Sequence, residues 1–198
     1  MGRGQSITPL LDALSDYSSQ KLLRLHMPGH KGVCLEDMAS ISHRLFEFDV
    51  TEVPGLDDLH EPCGAIKQAQ ELLAEAYGAD ESYFLINGTT GGLQAALMAT
   101  SKPGDKVILP RNVHRSVIGG VILSGTDPVY LRPEVSRFLG ATAVISSEEL
   151  KRALAVAPDA RCLIVVNPDY WGIAGDIGLL VKLAHMADIP VIADEAHG

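Results

Sequence analysis

The sequence predicts an α/β fold, a mostly parallel β-sheet with helices on both faces. Three observations point there. Short apolar runs, "YFLI" (83–86), "KVIL" (106–109), "VYL" (129–131), "CLIVV" (162–166) and "PVIA" (190–193), alternate with stretches of helical periodicity. The runs are apolar at consecutive positions, the pattern of strands covered on both sides. The last of them delivers acids, "DEAH", at its C-terminal end, where open α/β sheets bind ligands.

The elements follow in order. Thr8 and Pro9 make a helix start, a capping hydroxyl before a proline at the first helical position, and "LLDALSDYSSQ" continues it. "HMPGHKG" and "DVTEVPGLDDLHEP" are rich in Gly, Pro, His and Asp and have no periodicity, so residues 1–60 read as an N-terminal arm of ordered loops. The regular pattern occupies 61–198. "AIKQAQELLAEAY" has helical spacing and ends before Gly78, a C-cap. "GGLQAALMAT", "VHRSVIGGVIL", "SSEELKRALAVA" and "DIGLLVKLAHMA" are the helices between strands, and residues 133–145 carry no readable pattern.

Composition narrows the classes. The 198 residues suffice for one domain with a sizeable core, and 46% apolar with 21% charged residues describes a soluble globular chain. No apolar run reaches the length of a membrane span, and the N-terminus lacks an apolar signal region, so the expected location is the cytoplasm. Cys34, Cys63 and Cys162 have no paired spacing and read as buried thiols in a reducing cytoplasm. A net charge of −9 argues against a nucleic-acid partner.

Three places carry chemistry. In "LINGTTGGLQAAL" a strand is expected to end at Asn87, and Gly88-Thr89-Thr90-Gly91-Gly92 open a helix. Glycines allow close backbone approach, hydroxyls donate, and the helix N-terminus offers free N–H groups, which suits a phosphate; a plain Gly-rich turn is the bland alternative. No Gly-Lys-Ser/Thr occurs in the chain, so "DEAH" is not the magnesium-binding strand of a nucleotide-driven helicase. His114 in "PRNVHRSV" follows the second strand and reads as a flat partner for an aromatic ligand or as a surface or capping residue. Asp194 ends the last strand and reads as a ligand carboxylate or a helix cap.

Taken together, "HMPGHKG", "FDVTEVPGLDDLHEP", "NGTTGGLQA", "RNVHRSV" and "VIADEAHG" closely resemble the Orn/Lys/Arg decarboxylases, pyridoxal-phosphate enzymes of fold type I, from about Leu25 to the last residue. The resemblance implies the fold-type I large domain, pyridoxal 5'-phosphate as cofactor, a basic amino acid (arginine, lysine or ornithine) as substrate, and a homodimer or higher homo-oligomer. It implies that Thr89, Thr90 and Gly91 hold the cofactor phosphate. His114 would stack on the pyridine ring, Asp194 would pair with its nitrogen, Ala196 would pack beneath it, and His197 would lie close to the reacting centre. His114, Asp194 and His197 are thus the expected catalytic residues.

In that family the Schiff-base lysine lies beyond the aspartate strand, in a His-Lys pair. His30-Lys31 precedes the phosphate loop and does not match it. The first strand of the implied fold sits at a sheet edge beside a seventh strand, which this sequence does not include. The expectation is an N-terminal fragment, 61–198 being a partial cofactor-binding domain, inactive alone. Another fold-type I activity, an aminotransferase or a lyase, and a non-catalytic fragment stay open. One departure stands out: "NPDYWG" has Asp169 where the family usually shows Thr. His26 and His30 have metal-like spacing, but Pro28-Gly29 between them breaks the helix that a metal site would need, so no metal is expected. His60 and His185 read as structural or surface residues.

Overall fold

The computed structural model describes residues 57–136, 140–142 and 144–197. The first helix expected after Pro9, the "HMPGHKG" motif, residues 49–56 of the second arm motif, His26, His30, Lys31 and Cys34 lie outside them. The chain divides into two units, Met1–Ala69 and Gln70–Gly198. In chain order the elements are α1 (Ala65–Tyr77), α2 (Gly88–Thr100), β1 (Lys106–Pro110), α3 (Arg115–Ser124), β2 (Asp127–Leu131), β3 (Val135–Ser136), β4 (Ala141–Thr142), α4 (Ser147–Val156), β5 (Leu163–Val166), α5 (Ile177–Met186) and β6 (Val191–Asp194).

Four strands form one parallel sheet in the order β2-β1-β5-β6. Alternate side chains of each strand enter opposite layers, as the two-residue period of a strand requires. Val107, Leu109, Cys162 and Ile164 face one layer with Leu93 and Leu97 of α2 and Val117 and Val121 of α3. Ile108, Leu131, Leu163 and Val165 face the other with Leu150 and Ala153 of α4 and Leu180 and Ala184 of α5. Helices cover both faces, as the consecutive apolar runs predict. Cys162 is buried as expected, which pushes its thiol pKa up, whereas Cys63, expected to be buried, is exposed.

The helix boundaries follow capping chemistry. Ser146 accepts the N–H of Glu149 at the start of α4, whose first turn carries Glu148 and Glu149 against the helix dipole. Asp176 accepts the N–H of Leu179 at the start of α5. Gly78 follows α1 with φ +65° and Gly125 follows α3 with φ +66°, left-handed positions that favour glycine. Asp57, within the first unit, takes the N–H groups of Cys63, Gly64, Ile66 and Lys67, which hold its carboxyl below the usual range.

Two expectations need correction. "YFLI" (83–86) is not a strand, and Asn87 instead precedes α2 directly. A strand exists only where a neighbour completes its ladder of hydrogen bonds, and no described strand pairs with 83–86. Its side chains are accordingly exposed, Tyr83 by 69% and Ile86 by 79%. The unreadable stretch 133–145 contains a short antiparallel pair, β3 with β4.

Glu149 ties α4 to the end of β2. Arg152 donates from Nη2 to Oε1 at 2.7 Å and from Nε to Oε2 at 2.9 Å, and the Arg132 N–H reaches Oε1 at 2.9 Å. These donors, Arg152 first, hold the Glu149 pKa at about 2, below its ordinary 4.5. A depressed carboxylate contributes stability above its unfolded pKa and loses it as pH falls towards the folded value. Melting temperatures measured from pH 5 down to about 2 are expected to fall less steeply in Glu149→Gln than in the wild type. Parallel curves would show that this carboxylate does not carry acid sensitivity.

Candidate active site

The sheet reverses its winding between β1 and β5: β2 lies on one side of β1, and the chain then crosses to the other side for β5 and β6. Such a switch opens a crevice at the C-terminal ends of the strands. A cavity of about 570 Å³ lies there, lined by Thr89, Thr90 and Leu93 of α2, the 112–116 segment after β1, Val166 and Tyr170 after β5, and Asp194, Ala196 and His197 at and after β6. Four chain segments far apart in sequence therefore converge on it.

At one end of the cavity is the start of α2. Asn87 occupies the cap position without a side-chain cap hydrogen bond, and the first turn holds no acidic residue. The N–H groups of that turn are left to a ligand, with the hydroxyl residues Thr89 and Thr90 beside them. Gly91 continues the same turn but does not line the cavity. A Cβ there would lie 3.3 Å from the Asn87 Cβ, a tight approach.

Asp194 is the last residue of β6 and only 4% exposed. Its Oδ1 accepts the N–H of Ala196 at 3.2 Å, and its backbone carbonyl accepts the N–H of Asn167 at 3.0 Å, joining the ends of β5 and β6. No cation among the described residues pairs with this buried carboxylate, an arrangement that suits a cationic ligand group.

His114 performs the capping task that the sequence allowed and also lines the cavity. Its Nδ1 accepts the N–H of Ser116 at 3.2 Å and lies 2.8 Å from the Ser116 Oγ. This contact turns Nδ1 towards the backbone and pins the ring at the start of α3. His197 meets Tyr170 edge-on, with ring centroids 5.4 Å apart at 77°.

An anion-seeking helix end and an unpaired buried carboxylate on one cavity fit a ligand that carries a phosphate and a protonated ring nitrogen. Residues 8–198 match the family described as Orn/Lys/Arg decarboxylase, major domain. The chain belongs to the Orn/Lys/Arg decarboxylase family. Among its relatives is the arginine decarboxylase of Bacillus subtilis, 44% identical over 197 residues, 98% of this chain and 40% of the relative. The chain thus spans about 40% of the length of that relative. Among solved structures, the constitutive lysine decarboxylase of Escherichia coli aligns over 94% of this chain and 28% of its own, with a TM-score of 0.63 and 23% identity. The alanine aminotransferase of Pyrococcus furiosus aligns over 78% of this chain and 38% of its own, with a TM-score of 0.54 and 17% identity. These likenesses show the fold-type I α/β architecture.

Sequence reasoning missed seven residues of this cavity: the apolar Leu93, Val113 and Val166, and Asn112, Arg115, Ser116 and Tyr170. Arg115 and Ser116 stood in a recognised motif, yet only the turn of α3 brings them to the same wall as His114. Among the described residues no group of three or more His, Cys, Asp or Glu side chains could hold a metal. His60 and His185 are exposed, and no described helix is long and apolar enough to cross a membrane.

Proposed function

We propose that this segment binds pyridoxal 5'-phosphate and orients it in an enzyme that decarboxylates a basic amino acid. The observation that carries this reading is the pairing, across one cavity, of the uncapped α2 N-terminus with the unpaired buried carboxylate of Asp194. Thr89, Thr90 and the N–H groups of the Gly88–Gly91 turn would hold the phosphate. Asp194 would hold a proton on the ring nitrogen, and His114 would set the ring plane with its Ser116-pinned imidazole. Ala196 would fill the space beneath the ring, and His197 would stand near the reacting carbon. The bound cofactor supplies an electron sink for the carbon that loses CO2.

Arginine is the first substrate to test, since the relatives of 41–44% identity include proteins named arginine decarboxylase; lysine and ornithine are the other two. A homo-oligomer belongs to the same reading. The full-length protein, loaded with cofactor, is expected to release labelled CO2 from carboxyl-labelled arginine faster than from lysine or ornithine. The 198-residue segment alone is expected to release none, and borohydride should fix the cofactor to no single lysine of it. A loaded full-length protein silent on all three amino acids would refute the proposal.

A further inference from the structure

The loop after β5 is closed on a single side chain. Asp169 is 5% exposed, and its Oδ1 accepts the N–H groups of Trp171 at 2.8 Å and Ile173 at 2.9 Å. Its own N–H donates to the Ile173 carbonyl at 3.0 Å, and its carbonyl accepts the Gly172 N–H at 3.0 Å. Gly172 takes φ +77°, which lets the chain fold back on Asp169. Hydrogen bonds to a carboxylate are stronger than neutral ones, so this is a firm clamp on a five-residue loop.

The clamped loop presents Tyr170. That side chain is 77% exposed, lines the large cavity, meets Trp171 edge-on at 5.7 Å and meets His197 edge-on at 5.4 Å. An exposed aromatic ring has no packing of its own to hold it, so its position against His197 is set by the backbone beneath it. The second oxygen of Asp169, Oδ2, is buried and has no hydrogen-bond partner among the described residues. Asp169 also borders a cavity of about 30 Å³ with Asn112 and Asn167, the size of one water. The extra charge that distinguishes "NPDYWG" is therefore turned away from the large cavity and into its own loop.

We propose that Asp169 is a positioning residue, which fixes Tyr170 against His197 and so sets the orientation of His197 in the active site. Its catalytic half rests on the function proposed above, whereas its structural half does not. The test uses the full-length protein with cofactor and four variants: Asp169→Ala, Asp169→Asn, Tyr170→Ala and the Asp169→Ala/Tyr170→Ala double variant. Asparagine keeps the Oδ1 acceptor, and alanine removes it.

Two readouts need no activity. In Asp169→Ala, amide hydrogen exchange across 167–176 is expected to rise about tenfold or more, and in Asp169→Asn to stay near wild type. Carbethoxylation of His197 should quicken in Asp169→Ala and in Tyr170→Ala alike. On activity, kcat should fall about tenfold in Asp169→Ala with KM little changed, recover in Asp169→Asn, and fall no further in the double variant than in Tyr170→Ala alone. Unchanged exchange in Asp169→Ala, or an unchanged His197 modification rate, would overturn the proposal. Losses that multiply in the double variant would show that Asp169 does not act through Tyr170. A protein with no decarboxylase activity in any form would count against the proposed function, while exchange and modification would still decide the role of Asp169.

Discussion

Replacing Asp194 with asparagine in the full-length protein is expected to lower kcat by at least about a hundredfold, ~2.7 kcal/mol of barrier, while cofactor still binds. The substitution keeps the shape and the oxygen that accepts the Ala196 N–H, and it leaves the backbone carbonyl that receives the Asn167 N–H. The fold should therefore hold. What disappears is the buried charge, and with it the reason for a ring nitrogen to keep its proton. The phosphate end is untouched, since the α2 N-terminus lies on another segment. Asp194→Ala should lose activity at least as fully. Kinetics together with cofactor absorbance check this, and either variant with more than about a tenth of wild-type turnover would mean that Asp194 is not the ring-nitrogen partner.

Leu97→Ala is expected to destabilise the sheet domain by about 2–5 kcal/mol, read by urea denaturation. Leu97 has no exposed surface and sits where α2 crosses α3. The crossing is close because α3 carries Gly120. A Cβ at Gly120 would fall 2.6 Å from the Leu97 Cδ1 and 3.5 Å from the Gln94 Cα. Helix propensity alone would make Gly120→Ala stabilising by about 0.5–1 kcal/mol. The contact reverses the sign, because a fully buried leucine has nowhere to swing, and a net loss of about 1 kcal/mol or more is expected. Combining the two substitutions tests the geometry, since the alanine at 97 removes the methyl that the new Cβ would strike. The double variant should be more stable than the sum of the single losses predicts. Simple additivity would place the close approach elsewhere.

Several features were legible because they are local. Consecutive apolar runs at β1, β5 and β6 marked strands covered on both faces, and alternate residues enter the two layers found here. The helical stretches that begin at Ser146 and Asp176 were readable from their periodicity, and in the fold those two side chains cap them. Thr89, Thr90, His114 and Asp194 each stood at an element end, and in the fold all four line the crevice at the C-terminal ends of the strands.

Other features depend on partners distant in sequence. "YFLI" has strand composition, yet a strand is a relation between two chains, and no described segment completes the ladder for 83–86. Tyr170 gave no signal as a site residue and Asp169 stood out only as a departure from the family pattern, because the roles argued for them lie in a loop closed on one carboxylate and in a ring that meets His197 from a different segment. Composition and periodicity by themselves determined the class of fold and set candidate residues at the element ends. Which strand ends meet, how closely α2 passes α3 and which way the Asp169 charge points were decided by tertiary packing, since each depends on atoms that only the folded chain brings together.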